Sequence, residues 1–99
     1  MDESTGMLRD GALKDQVVVV TGGGTGLGRS MTEAFLRAGA KVCITSRKLD
    51  VLEGTAKELE RSTGGTVLPV ACDVRDSKAV DALLADVIAR FGKVDVLVN

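Results

Sequence analysis

The sequence predicts an α/β fold: a doubly wound parallel sheet, incomplete at four strands, in the order 3-2-1-4. Three observations predict it. Short apolar, β-branched runs alternate with helical repeats in the order strand, helix, strand, helix, strand, helix, strand, the pattern of parallel strands joined by right-handed crossovers. A glycine-rich segment, Gly22 to Gly28, lies between the first run and the first helix. The only proline, Pro69, falls in the third run. Proline cannot donate to a ladder, so that strand belongs at a sheet edge, where the doubly wound order puts it.

Residues 1–14 carry no hydrophobic period and read as an N-terminal tail. Val17-Val18-Val19-Val20 is an unbroken β-branched run, suited to a parallel strand buried on both faces. After the glycines, Leu27, Met31, Ala34, Phe35 and Ala38 recur at helical spacing, and Gly39 stops that helix. A second strand is expected over Lys41 to Thr45. Leu49, Leu52, Ala56 and Leu59 mark the next helix, which ends at Gly64-Gly65. The third strand is Val67 to Ala71. Asp76-Ser77 offers an N-cap to a helix whose apolar face is Val80, Leu83, Leu84, Val87, Ile88 and Phe91 and whose stop is Gly92. Val94 to Val98 is the fourth strand, followed by Asn99.

Composition narrows the function classes. Hydrophobic residues make up 44% and charged residues 27% of the 99-residue chain, the balance of one small globular domain. The net charge of −1, with no basic cluster, argues against nucleic acid and anionic membrane surfaces as partners. No apolar run approaches the roughly 20 residues of a membrane-spanning helix. Cys43 and Cys72 are too few and too far apart for a disulfide framework or a zinc site, and read as buried reduced thiols. No metal is expected. The N-terminus lacks a secretory signal or a good presequence, which suits the cytoplasm, with a peroxisomal or mitochondrial address left open. Histidine and tyrosine are both absent, so these residues supply neither a histidine base nor a tyrosine acid.

The segment Thr21-Gly22-Gly23-Gly24-Thr25-Gly26-Leu27-Gly28 follows a strand and opens a helix. Unpaired N–H groups and the positive end of the helix dipole attract phosphate there, and glycines let the backbone approach it. The context is that of a Rossmann-like dinucleotide site, with Gly22, Gly26 and Gly28 spaced G-x-x-x-G-x-G. Gly23 to Ser30 also reads as a P-loop, G-x-x-x-x-G-R-S, with Arg29 where a nucleoside triphosphatase needs lysine. At the tip of the second strand, Thr45-Ser46-Arg47-Lys48 contains no acid for a ribose 2′-hydroxyl, whereas Arg47 can fork onto a 2′-phosphate. NADP(H) is therefore the expected cofactor. The fourth strand would leave an apolar edge open, so residues 15–99 are expected to be the N-terminal half of a larger dinucleotide-binding domain, poorly stable alone.

Thr21-Gly22-x-x-x-Gly26-x-Gly28, Asp73-Val74 after the third strand, and Asp95-Val96-Leu97-Val98-Asn99 together resemble the short-chain dehydrogenase/reductase family over essentially the whole chain beyond the tail. The resemblance implies that Asp73 bonds the adenine amino group, that Val74 packs on the ring, and that Asn99 closes the ribose side. Ser46 to Leu52 and Cys72-Asp73-Val74-Arg75-Asp76 look most like the 2,4-dienoyl-CoA reductases, which pass hydride from NADPH into unsaturated acyl-CoA during fatty-acid β-oxidation. That likeness implies a place for Arg75 near the acyl-CoA substrate and, for the intact protein, a homotetramer. The family's catalytic Tyr-x-x-x-Lys is not among these residues, so the piece is expected to be inactive alone. The alternatives are a reductase of another carbonyl or hydroxyl substrate and a non-catalytic NADPH sensor.

Overall fold

The structure, a computed structural model, describes residues 11–99. Seven elements alternate: β1 (Val17–Thr21), α1 (Gly26–Arg37), β2 (Lys41–Ser46), α2 (Leu49–Thr63), β3 (Val67–Ala71), α3 (Ser77–Phe91) and β4 (Val96–Val98). All pairings are parallel, and the sheet order is β3-β2-β1-β4. Pro69 lies on the edge strand, opposite Ile44, as the missing N–H demands.

The core has two halves because successive strand residues face opposite sides of the sheet. Val18, Val20, Val42 and Ile44 meet Leu36 of α1 and Leu52, Ala56 and Leu59 of α2 on one face. Val17, Val19 and Cys43 meet Leu83 and Val87 of α3 on the other. The four consecutive valines are thus all buried, which explains their lack of polar alternation. Glycines in the left-handed region close two helices, Gly64 (φ 73°) after α2 and Gly92 (φ 89°) after α3. Asp76 caps α3 by accepting from the amides of Lys78 at 3.0 Å and Ala79 at 3.4 Å.

Some expectations are corrected. Of the apolar repeat Leu27, Met31, Ala34, Phe35 and Ala38, Ala38 is buried and Phe35 packs on the core, but within α1 the buried residues are Thr32 and Leu36, and Leu27 is 76% exposed. A backbone contact sets this rotation. A Cβ on Gly28 would sit 2.1 Å from the Gly22 carbonyl oxygen, so the stripe Gly28–Thr32–Leu36 is pressed onto the sheet. The Thr32 hydroxyl hides in that stripe by donating to the Gly28 carbonyl at 2.8 Å. Leu49 and Ile88, expected on buried helix faces, are also exposed.

β4 starts at Val96, not Val94. The Val17 amide donates to the Asp95 carboxylate at 2.8 Å while the Asp95 amide donates to the Val17 carbonyl at 2.9 Å, so a side chain takes one of the two bonds that join β1 to the chain just ahead of β4. Residues 1–10 of the expected tail lie outside the described residues. Residues 11–15 form a turn in which the Leu13 amide donates to the Ala38 carbonyl at 2.8 Å and the Leu13 side chain packs on the core.

Candidate functional site

The carboxyl ends of β1, β2 and β3 open onto one cleft of about 390 Å³, lined by Thr21, Gly22, Thr45, Arg47, Asp73 and Arg75, with Ser46, Cys72 and Val74 completing the wall. A recess of about 230 Å³ shares Gly22 and Ser46 with it and continues along Gly24, Thr25 and Lys48. The topology places this trough at the strand ends beside the crossover into α1, where open α/β sheets bind ligands.

The glycine segment forms the trough's wall. The Gly22 amide donates to the Thr45 carbonyl at 2.7 Å, one rung beyond β1, and its φ of 72° then turns the chain. Gly23 lies on β2, where a Cβ would come within 2.5 Å of Ile44 Cγ2. Thr25 precedes α1 without a side-chain capping bond, and the first turn of α1 carries no acid. The helix therefore presents its first amides and its positive dipole end with no protein anion against them. The cradle fits a diphosphate: Gly22 and Gly26 face open space, while Gly28 allows the loop and helix to close up. The arginine of the P-loop reading, Arg29, is turned away onto Glu58 of α2 at 2.8 Å.

The other residues singled out from the sequence gather around that cradle. Arg47 lines the cleft from the tip of β2, and Asp73, Val74 and Arg75 line it from the end of β3. Asp73 and Arg75 form a two-pronged pair, Nε to Oδ1 at 3.0 Å and Nη2 to Oδ2 at 2.9 Å. These bonds, with the Arg75 amide, hold the Asp73 carboxyl down at about 2. Arg75 thus sits on the same cleft as Asp73. Asn99 is set at the end of β4, where the Thr21 hydroxyl donates to its Oδ1 at 3.3 Å and to the Val98 carbonyl at 3.2 Å.

Sequence reasoning missed two threonines. Thr45 is fully buried at the cleft floor, and its hydroxyl has no partner among the described residues. Thr55 of α2 donates to the Gly24 carbonyl at 2.8 Å in a buried bond. The only signal was a hydroxyl on an otherwise apolar face. Cys43 and Cys72 are free and buried, and burial pushes the Cys43 thiol up to about 12. No helix among the described residues is long and apolar enough to cross a membrane.

The short chain dehydrogenase family profile matches residues 16–99. The chain is 44% identical, over 94 residues, to a probable 2,4-dienoyl-CoA reductase of Caenorhabditis elegans, covering 94% of this chain and 30% of that protein. Among solved structures, a citronellol catabolism dehydrogenase of Pseudomonas aeruginosa superposes with a TM-score of 0.88 at 40% identity, covering 94% of this chain and 38% of that one. L-sorbose reductase of Gluconobacter frateurii, solved with NADPH and L-sorbose, gives a TM-score of 0.85 at 37% identity, covering 91% of this chain and 34% of that one. The chain spans about 30% of the length of the first curated relatives it matches.

Proposed function

The chain belongs to the short-chain dehydrogenase family, and on that footing we propose that it is the NADP(H)-binding portion of a reductase acting on 2,4-dienoyl-CoA thioesters. The observation that carries the cofactor assignment is the tip of β2: Ser46-Arg47-Lys48 brings guanidinium and ammonium to the trough and no carboxylate. A ribose 2′-phosphate needs such donors, and a free 2′-hydroxyl needs an acid. The substrate class is supported by the 44% identity to the nematode reductase. When bound, the nicotinamide supplies the hydride; the protein supplies placement and electrostatics.

The chain's residues divide that placement. Within the Gly22-Gly23-Gly24-Thr25-Gly26-Leu27-Gly28 loop, the amides left free at the start of α1 hold the diphosphate, while the Gly22 amide ties the loop to β2 through the Thr45 carbonyl. Arg47, with Ser46 and Lys48 beside it, grips the 2′-phosphate by charge-assisted hydrogen bonds. Asp73, an ionised carboxylate held in place by Arg75, accepts from the adenine amino group while Val74 packs on the ring. Asn99, steadied by Thr21, closes the ribose side. Arg75, exposed at the cleft rim, would meet the phosphates of an acyl-CoA. The sequence holds no tyrosine, so no proton is delivered from that side chain by these residues.

Exchanging Arg47 for Asp in the intact protein tests the cofactor assignment. Loss of charged hydrogen bonds and added repulsion should weaken NADPH binding by about 2–3 kcal/mol and leave NADH nearly unchanged, by calorimetric titration. Equal losses for both nucleotides would remove the NADP(H) reading. A carbonyl substrate is the second reading, favoured by the likeness to L-sorbose reductase. An NADPH oxidation assay with a dienoyl-CoA and a simple ketone separates the two.

A further inference from the structure

We propose that Thr55 of α2 is the positioning residue of the glycine loop, its hydroxyl fixing the orientation of the Gly24–Thr25 peptide. The inference rests on the dinucleotide reading for its consequence in binding, but the contact itself is a feature of the fold. Thr55 is 6% exposed, and its Oγ1 donates to the Gly24 carbonyl at 2.8 Å across 31 residues of sequence.

That bond is unusual for a helical threonine. Such hydroxyls commonly turn back to a carbonyl four residues earlier. Thr32 does so, to Gly28 at 2.8 Å, and Thr63 does so, to Leu59 at 2.7 Å. Thr55 instead reaches out of its helix to the loop. Packing alone does not require this, since a valine has the same shape without the hydroxyl. The loop also lies close on α2 here: a Cβ on Gly24 would touch Leu52 and Val51, both at 3.4 Å. A second tie, Arg29 to Glu58 at 2.8 Å, joins α1 to the next turn of α2, but it is exposed and weak.

The consequence follows from peptide geometry. No cis peptide occurs among the described residues, and in a trans unit the C=O and N–H point in opposite directions. A Gly24 carbonyl held toward α2 therefore turns the Thr25 amide away from α2, toward the exposed side of the loop. That peptide turns about Gly24 ψ and Thr25 φ, and Thr25, β-branched and extended at φ −146°, resists a full reversal. Without the Thr55 bond the unit can still rock about those two torsions, which swings the Thr25 amide off the direction a phosphate oxygen needs. Thr55 fixes that tilt.

The test uses the intact protein with Thr55→Val, which removes only the hydroxyl, Thr55→Ser, which restores it, and Leu59→Val as a control for packing loss in the same helix. Two readouts apply: the NADPH dissociation constant, and nitrogen-15 order parameters of the Gly24, Thr25 and Gly26 amides without nucleotide. The valine variant should bind NADPH about tenfold more weakly (~1.4 kcal/mol) and show lower order parameters at those amides. The serine variant should stay within about twofold of wild type, and Leu59→Val should lower the melting temperature without moving either readout. Unchanged loop order parameters in Thr55→Val overturn the inference, whatever the protein binds. So does a tenfold binding loss shared equally by Leu59→Val. A wild-type protein that binds neither NADPH nor NADH overturns the dinucleotide reading instead, while a loosened loop in Thr55→Val would still uphold the clamp.

Discussion

At Gly28 a side chain has nowhere to begin: its first carbon would lie 2.1 Å from the Gly22 carbonyl oxygen. Gly28→Ala should therefore push α1 off the loop, destabilise the fold by about 1–3 kcal/mol in urea unfolding, and abolish dinucleotide binding. Gly54, in the middle of α2, has nothing within 4 Å of an added Cβ. The same substitution there should stabilise by about 0.5–1 kcal/mol, because only helix propensity changes. Asp73 gives a residue-scale prediction in pH. The Arg75 side-chain and backbone hydrogen bonds lower its carboxyl from 3.8 to about 2. A lowered native value contributes stability that is present above pH 3.8 and is lost as pH falls from there toward 2. In Arg75→Gln, carbon-13 titration of the Asp73 carboxyl should move back toward the ordinary carboxylate range; an unmoved titration would show that another group holds it down. Cys43 runs the other way. Its thiol, raised by burial from 9.0 to about 12, destabilises the native state progressively over that interval as the unfolded chain ionises first.

The elements were legible where one force decides them. The four valines, the lone proline and the glycine stops each have a single physical reading, and β1, β3 and the sheet order follow from them. The face of α1 was legible only in part, because two demands compete there. Phe35 and Ala38 of the apolar repeat do reach the core, but the backbone contact of Gly28 with Gly22 turns Thr32 and Leu36 inward and leaves Leu27 outside. The start of β4 was hidden for a similar reason: Asp95 takes the Val17 amide that a strand residue would have taken. The glycine cradle and Arg47 could be named from spacing and charge. Thr45 and Thr55 could not, since a threonine on an apolar face reads the same whether its hydroxyl works or merely fits. The Asp76 cap, by contrast, stands in the letters and in two bonds. Asp76→Ala should cost about 1 kcal/mol of stability in a denaturant titration, with dinucleotide affinity changed far less than by Arg47→Asp, because the backbone bond from the Asp76 amide to the Asp73 carbonyl survives the substitution.

Across the whole molecule, the sheet separates two tasks. Its faces are closed by helices, α1 and α2 on one side and α3 on the other, while the carboxyl ends of three strands share one open trough. The buried core of β1 and β2 underlies the trough's floor, and the turns above it line the trough. On the outer side, Val96 and Leu97 of β4 are 41% and 50% exposed, an apolar strand edge. The central claim is that main-chain amides at the entry to α1 grip the diphosphate of a nicotinamide dinucleotide. Amide shift mapping by proton–nitrogen NMR, with NADPH added to the intact protein, tests it most directly. The account predicts the largest shifts at Gly22, Thr25, Gly26, Leu27 and Gly28, with Arg47 and Asp73 following. Shifts centred on any other part of the molecule, or none at saturating NADPH, would contradict it.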